Sequence, residues 1–318
     1  MEWRQTMRSV ISFLVLAASC MAATVHVKDF NGSIQSAINS GAGKVVVDYR
    51  AEPYLQAVPI ELRDNLTLQF DPGVVVEAAV GGMLANVDSL LWCERKTNIR
   101  IVAHGVTFRM RQADYKLPPY EPSEHRHGLG MRGCVGLMME GGTIENTGGD
   151  GIYMGPTWDD ERVPCKNIVI IGTVIDGTYR NGVSFVSALH CLLRGVTIKR
   201  SGVDGVNPRT GIDFEPSSPK DWMVGVKVEN CQIIDSGYSG IAAPIQRFTD
   251  KSPPVSIEVT NTLIQGGCED SAMQFGSNVV GPDGYINLDV TIRDTKNGKV
   301  KTHLWKSTTC GLGLKVKP

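Results

Sequence analysis

The stretch Gly211-Ile212-Asp213-Phe214-Glu215-Pro216 decides the fold, because degenerate copies of it recur along the chain. Its alternation predicts a short strand with Ile212 and Phe214 on one face and Asp213 and Glu215 on the other, exposed face. Stretches with the same glycine, apolar, variable, bulky pattern begin at Gly151, Gly182 and Gly240. These four glycines are 31, 29 and 29 residues apart. A period near thirty built on a short strand indicates stacked coils.

The bulk composition limits the class of protein. A chain of 318 residues that is 42% hydrophobic can bury a large core, as one elongated domain or two compact ones. The net charge of −1 provides no global attraction to nucleic acid or to an anionic membrane, so we expect no nucleic-acid partner. The 35 glycines and 7% aromatic residues suit short strands joined by frequent turns.

The first 22 residues have the features of a secretory signal. Arg4 and Arg8 precede the apolar run 10–18, which is too short to span a bilayer and is followed by small residues. A lipoprotein variant, with Cys20 as the lipidated residue, is the alternative. No second long apolar segment follows. We therefore expect a secreted or periplasmic protein without a transmembrane segment, soluble or tethered at Cys20.

Seven cysteines remain after residue 22, and this odd number argues against a complete disulfide framework. Cys134, Cys165 and Cys191 each open an apolar strand. We interpret them as a stack of buried thiols that act as small hydrophobic residues.

The segment after the signal begins with a short amphipathic helix, 33–38, started by Asn31 or Ser33 and stopped by Gly41. The predicted strands 45–47, 60–62 and 66–70 follow it. This opening resembles the N-terminal cap and first coils of pectin-lyase-like right-handed parallel β-helix proteins, which include polygalacturonase-type hydrolases. The resemblance implies an all-β fold, a single-stranded right-handed parallel β-helix with a short N-terminal capping helix, as a single domain over residues 23–318.

Stacked coils place equivalent positions in columns about 4.8 Å apart. The outward column is predicted to hold Tyr153, Ser184, Asp213 and Ala242. The turn column is predicted to hold Asp150, Asn181, Thr210 and Ser239, preceded by Gly149, Arg180, Arg209 and Tyr238. Polar and charged residues therefore concentrate on one strip of three coils, which is the main functional signal of the sequence.

The third coil has two possible starting points, because either Gly205 or Gly211 could begin its strand. The regular spacing favours Gly211. Residues 207–210 then belong to an enlarged turn.

Two loops flank the polar strip. The loop 109–132 contains His125-Arg126-His127, and loop residues beside such a strip are where function concentrates. The alternative for these residues is ordinary solvation. The loop 155–164 protrudes from the next coil, and Trp158 together with Tyr153 could stack on sugar rings. For Trp158 the alternative is packing of the base of its own loop.

The resemblance bears on fold more than on reaction. Active pectin-lyase-like proteins cleave or epimerise polysaccharides in a groove across the sheets. Polygalacturonase-type members use an Asn-Thr-Asp segment, an Asp-Asp pair and a Gly-His-Gly, and this chain has none of these at the matching places. The segment Gly149-Asp150-Gly151 carries one aspartate only.

Three functions remain open. In a glycoside hydrolase, Asp213 with Glu215 or Asp150 forms an acid and base pair, and Asp150 and Asp213 are about 9–10 Å apart by the strand spacing. In a lyase or epimerase acting on uronates, Arg180 or Arg126 neutralises the substrate carboxylate. In the third case the protein is a non-catalytic carbohydrate-binding or surface β-helix.

The lyase alternative assigns further roles. His127 or Tyr153 would be the base, and Asp213 with Glu215 would hold Ca²⁺. No other cofactor is expected.

We favour the hydrolase, with a polysaccharide as its partner and the protein as a monomer. The predicted catalytic residues are Asp213, Glu215 and Asp150. The predicted substrate-binding residues are Arg180, Tyr153, Arg126, His127, Trp158 and Arg209.

Overall fold

The structure is a computed structural model that describes residues 23–277 and 281–317. The predicted signal segment 1–22, with Cys20, lies outside the described residues. Within the described part of the chain, no helix has the length and apolar character needed to cross a bilayer.

Short strands dominate the described chain. The smaller sheet contains, in chain order, β4 (Ile60–Glu61), β7 (Leu91–Glu94), β9 (Leu129–Arg132), β11 (Ile152–Gly155), β15 (Val183–Phe185), β19 (Thr210–Phe214), β22 (Ser239–Pro244), β24 (Ser271–Gly276) and β26 (Val300–Leu304). The larger sheet contains β1 (Thr24–His26), β2 (Lys44–Val47), β3 (Tyr54–Gln56), β5 (Leu66–Phe70), β6 (Val75–Ala78), β8 (Thr97–Arg109), β10 (Val135–Glu145), β12 (Cys165–Lys166), β13 (Val169–Ile171), β14 (Val174–Asp176), β16 (Ala188–Leu189), β17 (Leu192–Arg194), β18 (Thr197–Lys199), β20 (Met223–Glu229), β21 (Gln232–Ile234), β23 (Val255–Gln265), β25 (Gly284–Arg293) and β27 (Cys310–Lys317). The helices are α1 (Ile34–Asn39) and the 3-10 turns Val27–Phe30, Asp114–Lys116 and Ile245–Arg247. The all-β class is confirmed.

The strands of the smaller sheet pair in parallel, each with its equivalent in the next coil. Ile152 pairs with Val183, Val183 with Ile212, and Ile212 with Ile241, and all four side chains are fully buried. The apolar residue that follows each recurring glycine therefore faces inward, in one ladder. Gly211 therefore opens the third coil, although Thr210 already belongs to β19 rather than to the turn.

A second ladder in the larger sheet explains the recurring glycines. Isoleucines of β10, β14, β18, β21 and β23 pair in register: Ile144, Ile175, Ile198, Ile233 and Ile264. A Cβ atom added at Gly151, Gly182, Gly211 or Gly240 would lie 2.3 to 2.6 Å from the Cγ2 atom of one of these isoleucines. The repeat thus reflects a close approach between the two ladders, which leaves no room for a side chain.

The helix α1 lies beside the first coils. The Ser33 hydroxyl accepts a hydrogen bond from the Ser36 N–H, as an N-cap residue does, and Ile34 and Ile38 are buried. The helix contacts β2 and β4. Its role as the cap of the coil stack stays a prediction.

The cysteines are only partly the predicted stack of thiols. Cys93 and Cys134 form a disulfide, so Cys134 is not a free thiol. The two cysteines are 41 residues apart in the sequence, and the stacking of the coils brings them together. The other cysteines of the described chain are buried and free: Cys165, Cys191, Cys231, Cys268 and Cys310.

Candidate active site

A cleft of about 410 Å³ lies over one end of β11, β15, β19 and β22. Its lining includes Tyr153, Arg180 and Glu215, together with residues of the segment 244–247. The complete lining is His125, Tyr153, Arg180, Val186, Glu215, Pro216, Ser217, Pro244, Gln246 and Arg247. The cleft therefore coincides with the polar strip that the repeat predicted.

The outward column has the predicted register. Tyr153 pairs with Ser184, Ser184 with Asp213, and Asp213 with Ala242. The expectation that Asp213 lies on an exposed face is wrong, because its side chain is fully buried beneath the cleft. Glu215, two residues further on, keeps 35% of its side chain exposed and lines the cleft.

The turn column is a chain of directional hydrogen bonds. The Asn181 N–H donates to Asp150 Oδ1 at 3.0 Å, and the Thr210 N–H donates to Asn181 Oδ1 at 2.9 Å. The chain extends one coil beyond the prediction, because the Asp150 N–H donates to Nδ1 of His127 at 3.0 Å. Each polar side chain thus satisfies a buried amide of the next coil, which fixes its orientation.

Arg180 is the charged centre of the site. Its Nη1 lies 3.2 Å from Asp150 Oδ2, its Nη2 lies 2.6 Å from Glu215 Oε2, and its Nε lies 3.4 Å from Glu124 Oε2. Burial by itself would lower the pKa of Arg180, but the charges of Asp150 and Glu215 outweigh burial and raise the pKa. Arg180 is therefore a permanent cation held by three carboxylates.

Asp213 lies in an environment that favours its neutral form. Burial, followed by the nearby charge of Glu215, raises its pKa well above the ordinary value, and Arg180 only partly opposes the rise. Its Oδ2 accepts a hydrogen bond from Asn181 Nδ2 at 3.3 Å, whereas its Oδ1 has no partner in the described chain.

Asp150 does not line the cleft. It is fully buried, and burial raises its pKa, while Arg180 and the Asn181 N–H oppose the rise. The structure therefore brings Asp150 close to Glu215 only through Arg180. Its position is that of a support for Arg180 beneath the cleft.

His127 is a neutral, buried ring. Burial first, and then the neighbouring His125, Arg180 and Arg132, lower its pKa well below the ordinary value. Since Nδ1 accepts from the Asp150 N–H, the neutral ring carries its proton on Nε2. The sequence predicted that His127 binds substrate from the loop 109–132, with ordinary solvation as the alternative. In the structure its ring completes the turn column.

Tyr153 lies at the cleft wall with 9% of its surface exposed. Its ring stacks on His127 with centroids 4.7 Å apart, and the Arg132 guanidinium lies 4.8 Å from the Tyr153 centroid. A Cβ atom at Gly155 would come within 2.3 Å of the Tyr153 ring, so the glycine makes room for it. Burial raises the Tyr153 pKa, with Arg132 opposing, and the hydroxyl stays protonated.

Arg126 does not bind substrate from this position. Its side chain is fully buried and donates to the carbonyl oxygens of Met83, Leu84 and Glu121 at 3.0 to 3.1 Å. These bonds join the 83–84 loop to the 121–126 segment. The guanidinium therefore links two loops, a structural role that differs from the substrate binding predicted for Arg126.

Two further predicted binding residues lie outside the cleft lining. Arg209 forms an ion pair with Glu269 at 3.1 Å. Trp158 is 62% exposed on its loop and stacks on Arg132, whose guanidinium carbon lies 3.4 Å from the indole centroid.

Several residues of the site escaped the sequence analysis. Glu124 and His125 belong to the loop 109–132, beside Arg126 and His127, which are the residues predicted to bind substrate. Gln246 and Arg247 form the opposite wall from the 3-10 turn after β22. The polar strip fades at residue 240 in the sequence, so no periodic signal pointed to them.

The Ca²⁺ site predicted at Asp213 and Glu215 for the lyase alternative stays a prediction. Within residues 23–277 and 281–317, no three His, Cys, Asp or Glu side chains are grouped as a metal site would require. The Arg180 guanidinium already contacts Glu215, so a cation there would meet a positive charge.

No protein-family model and no curated protein matches the chain. Solved structures do match. The iota-carrageenase of family GH82 from A. fortis is 13% identical with a TM-score of 0.58, over 82% of this chain and 56% of that one. The tailspike gp49 of Acinetobacter baumannii bacteriophage Fri1, a capsular polysaccharide depolymerase, is 10% identical with a TM-score of 0.52, over 93% and 63%. The surface adhesin PfbA of Streptococcus pneumoniae is 10% identical with a TM-score of 0.51, over 86% and 79%.

These likenesses concern the fold. The matched proteins are right-handed parallel β-helices of the pectin-lyase-like type, and this chain has that fold, as its resemblance implied. The chain spans little more than half the length of the carrageenase and under two thirds of the tailspike. The matched folds include both polysaccharide-cleaving enzymes and an adhesin, so fold alone does not select the activity.

Proposed function

We propose that this chain is an exported glycoside hydrolase that cleaves a polysaccharide in the cleft, with Asp213 as acid and Glu215 as base. The observation that carries the proposal is the placement of Arg180 between Asp150 and Glu215, next to the protonated Asp213. One carboxyl group is kept neutral by burial, while its neighbour faces a guanidinium in the cleft wall. Two carboxyl groups in such unlike environments are what acid–base hydrolysis of a glycoside requires.

The roles follow from the atoms. Glu215, paired with Arg180 and partly exposed in the cleft lining, takes a proton from the attacking water. We assign to Asp213 the proton that the glycosidic oxygen receives; this carboxyl group is fully buried, so the residues above it must move for the proton to reach a substrate in the cleft. Residues two apart in extended backbone have Cα atoms about 6.5–7 Å apart, and a separation of the two carboxyl groups in that range would leave room for a water and predict inversion at the anomeric carbon.

The geometry favours hydrolysis over elimination or epimerisation of uronates. Those reactions need a free cation to neutralise the substrate carboxylate and a base to remove a carbon-bound proton. Arg180 is already held by three carboxylates, and Arg126 is buried among carbonyl oxygens. The predicted bases are unsuitable too, because His127 carries its proton on Nε2 and the Tyr153 pKa is raised.

A panel of neutral and acidic polysaccharides tests the reaction class. We expect new reducing ends without the ultraviolet absorbance of an unsaturated sugar. Reducing ends that appear together with that absorbance would assign elimination and overturn the proposal. Binding without any cleavage, on a panel that includes iota-carrageenan, a polyuronate and a neutral glucan, would instead support a non-catalytic β-helix.

A further inference from the structure

The loop between β11 and β12 presents an aromatic face to solvent. Trp158 is 62% exposed, although a large apolar ring is normally covered in a folded protein. The covered side of the indole rests on the Arg132 guanidinium at 3.4 Å. The opposite side is left open.

The loop that carries Trp158 is held in place by ion pairs at both ends. Asp159 forms an ion pair with Arg95, and its Oδ1 accepts a hydrogen bond from the Thr157 hydroxyl at 2.8 Å. Arg162 makes two hydrogen bonds of 2.9 Å to the fully buried Asp221. An exposed ring on such a fixed loop loses little conformational freedom when it binds a partner.

Arg132 connects this ring to the cleft. Its side chain is 7% exposed and lies between Trp158 and Tyr153, and Tyr153 lines the cleft. Its guanidinium donates to the Pro156 carbonyl oxygen at 3.2 Å, and its buried Nε has no hydrogen-bond partner in the described chain. Burial lowers the pKa of Arg132, opposed first by Tyr153 and then by the charge of Glu94, and the rings of Trp158 and Tyr153 lie against the guanidinium.

We propose that Trp158 is a stacking platform for a sugar ring of the polysaccharide chain, at a subsite outside the cleft and next to its Tyr153 wall. A pyranose presents a face of C–H groups that packs on an indole, and a rigid, exposed tryptophan offers this contact at low entropic cost. The subsite would hold a sugar that continues from the cleft over Arg132. The inference rests on the proposed function in that the ligand is a polysaccharide.

Affinity electrophoresis tests the platform without turnover. Gels contain polygalacturonate, iota-carrageenan or neutral hydroxyethyl cellulose, and every protein carries Asp213→Asn to prevent cleavage. We expect Trp158→Ala to raise the dissociation constant about tenfold in the gel that retards the parent protein. Trp158→Phe should retain most of the affinity. Tyr285→Ala, which removes an exposed aromatic ring from the larger sheet, should have no effect.

The outcomes separate the two proposals. Equal retardation of Trp158→Ala and the parent, equal weakening by Tyr285→Ala, or no retardation of the parent in any gel would each overturn the platform. Weaker binding by the Trp158→Ala variant, together with no cleavage of the same polysaccharide by the protein that retains Asp213, would keep the platform and remove the hydrolase.

Discussion

Arg180 Nη2 lies 2.6 Å from Glu215 Oε2, and this contact joins the polar turn column to the cleft. The same guanidinium reaches Asp150 two coils away from Glu215, so one cation organises carboxylates from three successive coils. The register of the coils makes this possible, because equivalent turn positions lie one strand spacing apart. Glu215 thereby has a cationic partner, while burial, followed by the charge of Glu215, raises the pKa of Asp213.

Glu215→Gln is expected to reduce turnover by at least about two orders of magnitude, because the base for the attacking water is lost. Stability should fall by about 1 kcal/mol, because the mostly buried Arg180 loses one of its three carboxylates. Reducing-end assays and urea denaturation measure the two effects.

The control for this variant is Glu140→Gln. Glu140 pairs with Arg100 at 2.9 Å on the larger sheet, so the change removes a comparable ion pair far from the cleft. It should leave turnover unchanged. Full activity of Glu215→Gln on a verified substrate would leave this carboxylate without a catalytic role.

Asp213→Asn should also lose turnover by about two orders of magnitude, yet gain stability at neutral pH. The pKa of Asp213 is raised in the folded protein, so its contribution to stability is present at low pH. That contribution is lost as the pH rises from about 4, where unfolded aspartate ionises, towards the folded pKa. The variant removes this loss, and its advantage over wild type should grow with pH across that window.

Urea denaturation of both proteins at several pH values measures the difference. A stability difference that does not vary with pH would show that Asp213 is ionised in the folded protein. The acid role assigned to it would then be wrong.

The periodic features were predictable from the sequence, and the reason is steric. The glycines and isoleucines of the two ladders must recur with the coil, because any side chain at Gly182 would meet Ile198. The same period placed Asp150, Asn181 and Thr210 in one column. The register of Asp213 against Ser184 followed from it.

The aperiodic features could not be predicted in this way. Alternation says on which side of a strand Asp213 lies, but not that Arg180 and other residues cover it. In the loop 109–132, neighbouring residues have opposite fates, since Arg126 is fully buried and His125 lines the cleft. Such contacts join residues distant in sequence, as Glu124 to Arg180, and leave no local pattern.

Because His127 is buried, we expect the folded protein to lose stability in acid. Burial, together with the charges around it, keeps its folded pKa well below that of an unfolded histidine. Its contribution to stability is therefore complete above about pH 6.5 and is lost as the pH falls below that value. His127→Gln should remove this dependence, while its side-chain oxygen can still accept from the Asp150 N–H.

The matched control is His125→Gln, because His125 is half-exposed and its ring makes no buried hydrogen bond in the described chain. Denaturation at pH 7 and at pH 5 gives the measurement. If His127→Gln loses as much stability between these pH values as wild type, the neutral buried ring is not responsible.

Gly182→Ala tests the steric origin of the repeat. The added Cβ would lie 2.3 Å from Ile198 Cγ2 and 2.6 Å from the Gly211 carbonyl oxygen, and the latter cannot rotate away. Forcing the two ladders apart should cost about 1–3 kcal/mol, as overpacking of a dense core does. The free energy of unfolding from urea titration measures the cost.

Gly311→Ala provides the comparison, since a Cβ there would have its nearest neighbour at 3.8 Å, an ordinary contact. This variant should change stability by no more than about 0.5 kcal/mol. If the two alanine variants are equally stable, the recurring glycines are not required by close approach of the ladders. The 29-residue spacing would then need a different physical explanation, such as a backbone requirement at the turn. A large loss of unfolding free energy for Gly182→Ala alone would instead show that the sequence repeat is required by the packing of each coil against the next.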